Sequence, residues 1–470
     1  MKWGRAVDVE SDLWRLGAVE LSRKIATREI SAVELMRATL ARIGAVNGAV
    51  NAIVSLGDRE ALMGAARVAD AVGSSGWLHG IPVAIKDMVA VKGLRSTSGS
   101  PLFADLVPRV DDGLARRLRD AGAIVIGKTN VPDFGLGSHS RNPVHGVTRN
   151  PFDLSLSAGG SSGGAAAALA TGMVSVADGS DMMGSLRNPA AWNDVWGFRP
   201  TIGLVPGEPR DNAILHRLTT AGPMARGLDD LSALLETLSG TALPVARAPV
   251  APRIGWLGDW GGAFRMDGDL LAAGAAALGQ AAGALGWRIE ALDPPMPAER
   301  LWRSWTDLRS FAVAQDLARH WRLPASRAAL NPQAIWEVER GLALSGDAVE
   351  QAQATRRDWL SCLADLFTRV DALVLPSTQI WPFPADRDWP RAIAGVPTDT
   401  YHRWMECVVP ASLAGLPTLA LPAGYGPAGL PHGLQLIGPA DADARVLALG
   451  RQWEAMIGPR PVRNPGRDPA

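Results

Sequence analysis

The chain of 470 residues carries 47 basic and 47 acidic side chains, a formal charge of zero, and 47% apolar residues. That content is enough for a large core, as two domains or one big α/β unit, and neutrality without long single-sign runs argues against nucleic acid or an anionic membrane as the main partner. With only Cys362 and Cys407 and no apolar run long enough to cross a bilayer, the sequence reads as a soluble protein of the reducing cytoplasm, without a disulfide framework.

Residues 31–44, SAVELMRATLARIG, open with Ser31 and place Glu34 three positions on, the capping-box start of an amphipathic helix. Short apolar runs at 81–85, 123–126 and 174–176 read as interior strands, with helices expected near 113–121 and 228–238. Further strands are expected at 253–256, 372–375, 418–421 and 433–437. Alternating elements of this kind point to α/β architecture. From about 296 to 400 the character changes: Trp302, Trp305, Trp321, Trp336, Trp359, Trp381 and Trp389 sit in a largely helical region that ends Pro-rich. That segment reads as a pocket wall or lid added to the core. No internal repeat and no clean linker is visible.

Three stretches invite chemistry. GGSSGG at 159–164 runs straight into Ala165–Ala170. A flexible linker does not end in strong helix formers, and a phosphate-binding loop needs a Lys and a Ser or Thr after its last Gly, where Ala165 and Ala166 stand. Gly160 to Gly164 also fits the G-x-S-x-G elbow, but residues 150–158 make a poor strand to precede one. GIPVAIKD at 80–87 ends a strand on Lys86. A lysine there is ordinarily solvated; buried, it loses basicity and becomes a neutral amine able to take a proton. The third stretch, DGSDMMGSLRNP at 178–189, is by itself a surface turn.

Taken in order, GIPVAIKD, GGSSGG, GSDMMGSLRNPAA, GFRPT at 197–201, ASLAGLPTLALPAG at 411–424 and HGLQLIG at 432–438 resemble the amidase signature family. The likeness runs from SAVEL near residue 31 to the last helix and is weakest across 296–400. It implies an α/β fold with a large mixed β-sheet covered by helices on both faces, as a single domain over 1–470 with its signature core at about 75–240 and 405–456. By resemblance, Ser185 is the nucleophile, Ser161 the bridging serine behind a cis peptide bond, and Lys86 the base, supported by Gly160, Ser162, Asp181 and Arg187. Neutral Lys86 would draw the Ser185 proton through Ser161, and the acyl-enzyme would then be opened by water. Backbone N–H groups of Met182, Met183, Gly184 and Ser185 would hold the oxyanion. No cofactor and no metal is called for, and neither H-E-x-x-H nor a paired-Cys motif is present.

One departure stands out. The family usually has Asp-Thr-Gly-Gly-Ser where this chain has Asp181-Met-Met-Gly-Ser185, so Met183 is expected to place its side chain in the acyl pocket and limit acyl size. The resemblance implies hydrolysis of a small neutral amide, aromatic or hydrophobic, with ester or carbamate (urethane) cleavage open to the same pocket, by a monomer or homodimer with no nucleic-acid or membrane partner. Two alternatives stay open: the A subunit of a tRNA-dependent amidotransferase, and a non-catalytic anion or nucleotide binder using the Gly/Ser loop.

Overall fold

Ser31 Oγ accepts from the Glu34 N–H at 3.1 Å, and Glu34 Oε2 accepts from the Ser31 N–H at 2.7 Å. This reciprocal cap starts the helix Ala32–Val50 (α1). The computed structural model describes residues 12–73, 76–207, 218–426 and 428–466. Within them, eleven strands form one sheet: Ile53–Val54 (β1), Pro82–Lys86 (β2), Ile124–Thr129 (β3), Val176–Asp181 (β4), Trp196–Arg199 (β5), Thr220–Ala225 (β6), Arg253–Trp256 (β7), Arg288–Ala291 (β8), Ala372–Pro376 (β9), Thr418–Tyr425 (β10) and Pro431–Ile437 (β11). Their spatial order is β1-β3-β2-β4-β6-β5-β10-β11-β9-β7-β8. The sheet is mixed. β2 runs parallel to β3 and β4, and β7 parallel to β8 and β9, while β4 with β6 and β10 with β11 are antiparallel.

Six of the seven apolar runs named above fall inside a strand to within a residue and 174–176 meets one only at Val176, while four strands carry no such signal. β1 is two residues long, β5 lies inside GFRPT, β6 reads TAGPMA, and β8 reads RIEA with three of its four residues exposed. β4 also corrects an expectation: it continues past residue 176 through Asp178 and Ser180 to Asp181, where a surface turn was expected. Buried polar groups tolerate this because they find partners; Asp178 Oδ1 accepts from the Lys86 N–H at 3.0 Å.

Alternate strand residues enter different cores, as the two-residue period requires. Val83 and Ile85 pack with the helix Leu228–Ser239, whereas Ala84 packs with α1 and the helix Gly163–Ala170 (α2). Lys86 therefore points to the α2 face, where the Gly/Ser loop ends. A third core is rich in tryptophan: Trp192, Trp302, Trp305, Trp359 and Trp404 are buried in it. It gathers the helices Arg187–Trp192 (α3), Ala298–Arg322 (α4) and Gly346–Leu366 (α6), the last two flanking Pro332–Ala343 (α5). The Trp-rich segment is not wholly outside the sheet, since its strand β9 pairs with both β7 and β11.

Close approach explains the loop's last glycine. A Cβ on Gly164 would collide with the backbone N of Asn130 and lie 2.7 Å from the carbonyl oxygens of Ala52 and Asn130. Gly164→Ala is expected to cost about 1–3 kcal/mol or more, visible as a lowered midpoint in thermal unfolding; an unchanged midpoint would show that the loop relaxes freely.

Candidate active site

β2 carries Lys86 to the mouth of α2, where its Nζ lies 2.8 Å from Ser161 Oγ, 2.9 Å from Ser162 Oγ and 2.9 Å from Ser180 Oγ, with the Ser180 carbonyl at 3.3 Å. Hydroxyls both donate and accept, so this shell suits a neutral amine as well as an ammonium. Burial disfavours the ammonium and brings the lysine pKa down to about 7, against an opposing pull from Asp178 and Asp181. The other buried strand-end lysine, Lys128, donates to the Val89 carbonyl instead.

The loop before α2 is glycine-built because it threads between other backbones. Gly159 has a left-handed φ of 78°. A Cβ on Gly160 would come 2.9 Å from the His139 N and 3.0 Å from the Ser138 carbonyl carbon, and one on Gly163 would come 2.5 Å from Ser140 Oγ. The Gly160–Ser161 peptide bond is cis, and Ser138 Oγ donates to the Gly160 carbonyl. Ser162 N–H donates to the Ser185 carbonyl at 3.2 Å, which ties the loop to the turn that follows β4.

That turn is organised by Asp181. Its carboxylate accepts from the backbone N–H of Gly184 at 2.9 Å and of Leu186 at 3.2 Å, and from Arg187 Nε and Nη2 at 2.9 Å each. Arg187 and Arg199 hold it well below the usual carboxylate range despite its burial. Arg187 reaches on to the Val408 carbonyl, Gln435 Oε1 and Ser412 Oγ. Gly184 takes a φ of 80°, and Ser185, 7% exposed, follows it.

The sequence placed Lys86, Ser161, Ser162 and Ser185 in one site, and the fold brings them together. The expected oxyanion donors need a correction at Gly184, whose N–H is taken by Asp181. Among the described residues no protein acceptor is found for the N–H groups of Met182, Met183 and Ser185. Met183, expected to project into an acyl pocket, is 3% exposed and part of the tryptophan core, and its sulfur accepts from Trp305 Nε1 at 3.3 Å. Ser180, Asp178 and Arg199 were not picked out from the sequence, nor was Arg309, which shares a helix face with Trp302 and Trp305 by its i, i+3, i+7 spacing. Ser180 lay within reach, one residue before the Asp181-Met-Met-Gly-Ser185 stretch.

A cavity of about 950 Å³ opens elsewhere, lined by Trp260, Arg265, Gln379, Arg403 and Glu406 but not by Lys86, Ser161 or Ser185. Among the described residues no group of three or more His, Cys, Asp or Glu is placed to hold a metal ion, and no helix is long and apolar enough to cross a membrane.

The family model described as Amidase matches residues 34–447. The A subunit of glutamyl-tRNA(Gln) amidotransferase from Salinispora tropica is 33% identical across 96% of this chain and 99% of its own length. A crystal structure of an amidase superposes with a TM-score of 0.85 at 30% identity, covering 94% of this chain and all of the other. A bacterial aryl acylamidase of the amidase signature family gives the same TM-score at 26% identity, over 94% of this chain and 96% of its own. The chain belongs to the amidase signature family.

Because the Met183 thioether is packed within the wall, Met183→Gly is expected to cost about 2–5 kcal/mol of stability, read from urea unfolding. A loss below about 1 kcal/mol would return the side chain to the role of a free gate on acyl size.

Proposed function

We propose that the chain cleaves the C–N bond of an amide through an acyl-enzyme on Ser185, with Lys86 as base and Ser161 as proton relay. The observation that carries this reading is a desolvated lysine 2.8 Å from Ser161 Oγ, in a loop hydrogen-bonded to the backbone of Ser185. As Ser185 Oγ bonds to the carbonyl carbon, its proton passes to Ser161 and that of Ser161 to the Lys86 amine. The displaced π pair settles on the carbonyl oxygen, facing the unpaired N–H groups of Met182, Met183 and Ser185. Collapse restores the carbonyl and breaks the C–N bond, and the proton returns through Ser161 to the leaving nitrogen. Water then repeats the cycle on the ester.

On substrate, the names of the curated relatives support the amidotransferase A-subunit reading, with partner subunits, better than the small-amide reading drawn from sequence. The small neutral amide, with esters and carbamates beside it, stands as the second reading. It is favoured by the apolar wall that Met182, Met183 and Trp305 form at the turn and by the likeness to an aryl acylamidase. Purification of the tagged chain from its native cells, followed by assays with glutamine and with neutral p-nitroanilides, separates the two. A stoichiometric partner and glutaminase activity select the first; anilide hydrolysis by the lone chain selects the second. Cys362 and Cys407 are both unpaired, in line with a cytoplasmic home.

Ser185→Ala is expected to lose about three orders of magnitude or more in kcat with its unfolding midpoint unchanged, and a fluorophosphonate adduct should map to Ser185. Activity kept in Ser185→Ala, with the adduct on Ser162, would transfer the role to the elbow serine.

The active form of Lys86 is the neutral one. With its pKa at about 7, kcat/KM should rise tenfold per pH unit below that value and level off above it. A profile already flat from about pH 5 would remove Lys86 as base.

A further inference from the structure

We propose that Arg309 is a substrate-positioning residue of the Ser185 site, selecting acyl groups that carry a neutral oxygen acceptor such as a ketone. The inference rests on the small-amide reading above. Arg309 lies in α4 and is 3% exposed. Its Nε donates to Glu337 Oε1 at 2.7 Å and its Nη2 to the Tyr401 hydroxyl at 2.8 Å. Nη1 meets only the sulfur of Met182, at 3.4 Å. A thioether is a weak acceptor, and a buried guanidinium nitrogen without an oxygen partner is costly to keep. Met182 is three residues before Ser185, so the weakly paired nitrogen stands beside the turn, where a substrate oxygen would be a stronger acceptor than the thioether.

Two neighbours fix the side of the substrate that it meets. The relay serine must face the leaving nitrogen, and Ser161 Oγ lies 3.8 Å from where a Cβ on Gly135 would stand, with Met88 beside it. Tyr401, which holds Arg309, lies 4.0 Å from the corresponding point on Gly137. With the leaving group placed on the Gly135 and Met88 side, next to Ser161, the acyl portion takes the Met182 side, where Nη1 of Arg309 stands.

Charge fixes the chemistry of the acceptor. Glu337 is fully buried and also accepts from Tyr401 at 2.6 Å and Ser310 at 2.5 Å. It offsets the Arg309 charge, and neighbouring Arg340 is offset by Asp307. His402, stacked on Tyr401, is kept neutral by burial. The cluster therefore sums to no net charge. A carboxylate would bring an uncompensated charge into a buried site, whereas a ketone oxygen needs only to replace the Met182 sulfur as the acceptor of Nη1.

Three p-nitroanilides test this: 4-oxopentanoyl, its near isostere 4-methylpentanoyl, and succinyl. Wild-type kcat/KM is expected to favour the 4-oxopentanoyl compound over 4-methylpentanoyl by about 10- to 100-fold, the range of a hydrogen bond to a charged donor. The double variant Arg309→Met with Glu337→Gln avoids stranding a buried carboxylate and should bring that ratio near one; Arg309→Lys should fall between. Fluorophosphonate labelling of Ser185 reports that each variant keeps its nucleophile in place. A wild-type ratio near one, a ratio unchanged in a labelling-competent variant, an equal loss for both compounds, or faster turnover of the succinyl compound would each overturn the assignment. Wild type that labels at Ser185 yet cleaves none of the three would instead overturn the small-amide reading, and the inference with it.

Discussion

The Asp181 carboxylate, shared between two backbone N–H groups and the fork of Arg187, sets where the turn that carries Ser185 stands. A strand that ended on an ordinary residue would leave the five residues after it free to choose among turns. Here the strand's last side chain folds back over its own continuation, and a fully buried bidentate ion pair adds direction to strength. The same arginine is bound by groups from beyond residue 400, Val408, Ser412 and Gln435. The turn is therefore tied to residues late in the chain through Arg187, and Arg199, which also meets Asp181, reaches the Ser412 carbonyl at 3.4 Å.

Lys86 shows the opposite use of burial. Asp181 is given countercharges until it is strongly acidic, whereas Lys86 is given three hydroxyls and one carbonyl and no carboxylate in contact. Both lie in the same dry region at the ends of the adjacent strands β2 and β4, so the difference comes from partners and not from depth. A lysine in that setting can exchange a proton near neutrality, and among the described residues no histidine side chain is hydrogen-bonded to it.

Much of this was legible in the sequence, and the reasons differ by element. Strands buried on both faces announce themselves as apolar runs, so β2, β3, β7, β9, β10 and β11 fall where expected to within a few residues. β4 was cut short because Asp178 and Asp181 look like solvent-facing residues until their partners, Lys86 and Arg187, are known. The serines and the lysine followed from motif order, which a family likeness carries well. Hydrogen-bond directions did not: nothing in Met-Met-Gly-Ser says that the Gly184 N–H turns toward Asp181. The Met183 environment was hidden for a similar reason, since its neighbour Trp305 lies in the stretch where the likeness is weakest.

The wall helices leave the sheet after β8 and return to it at β9, with only β7 between. Two strand spacings, about 10 Å, thus fix both ends of a segment of some eighty residues, and lengthening a loop with anchored ends adds little entropy cost. The arrangement separates inheritance into two compartments. The lysine and the serines, mounted on β2, α2 and β4, lie outside the segment, which meets their turn through Trp305 and Arg309. A chimera carrying a relative's α4–α6 between these same strands would therefore keep β2, α2 and β4 in place and exchange only the side chains that press on Met182 and Met183.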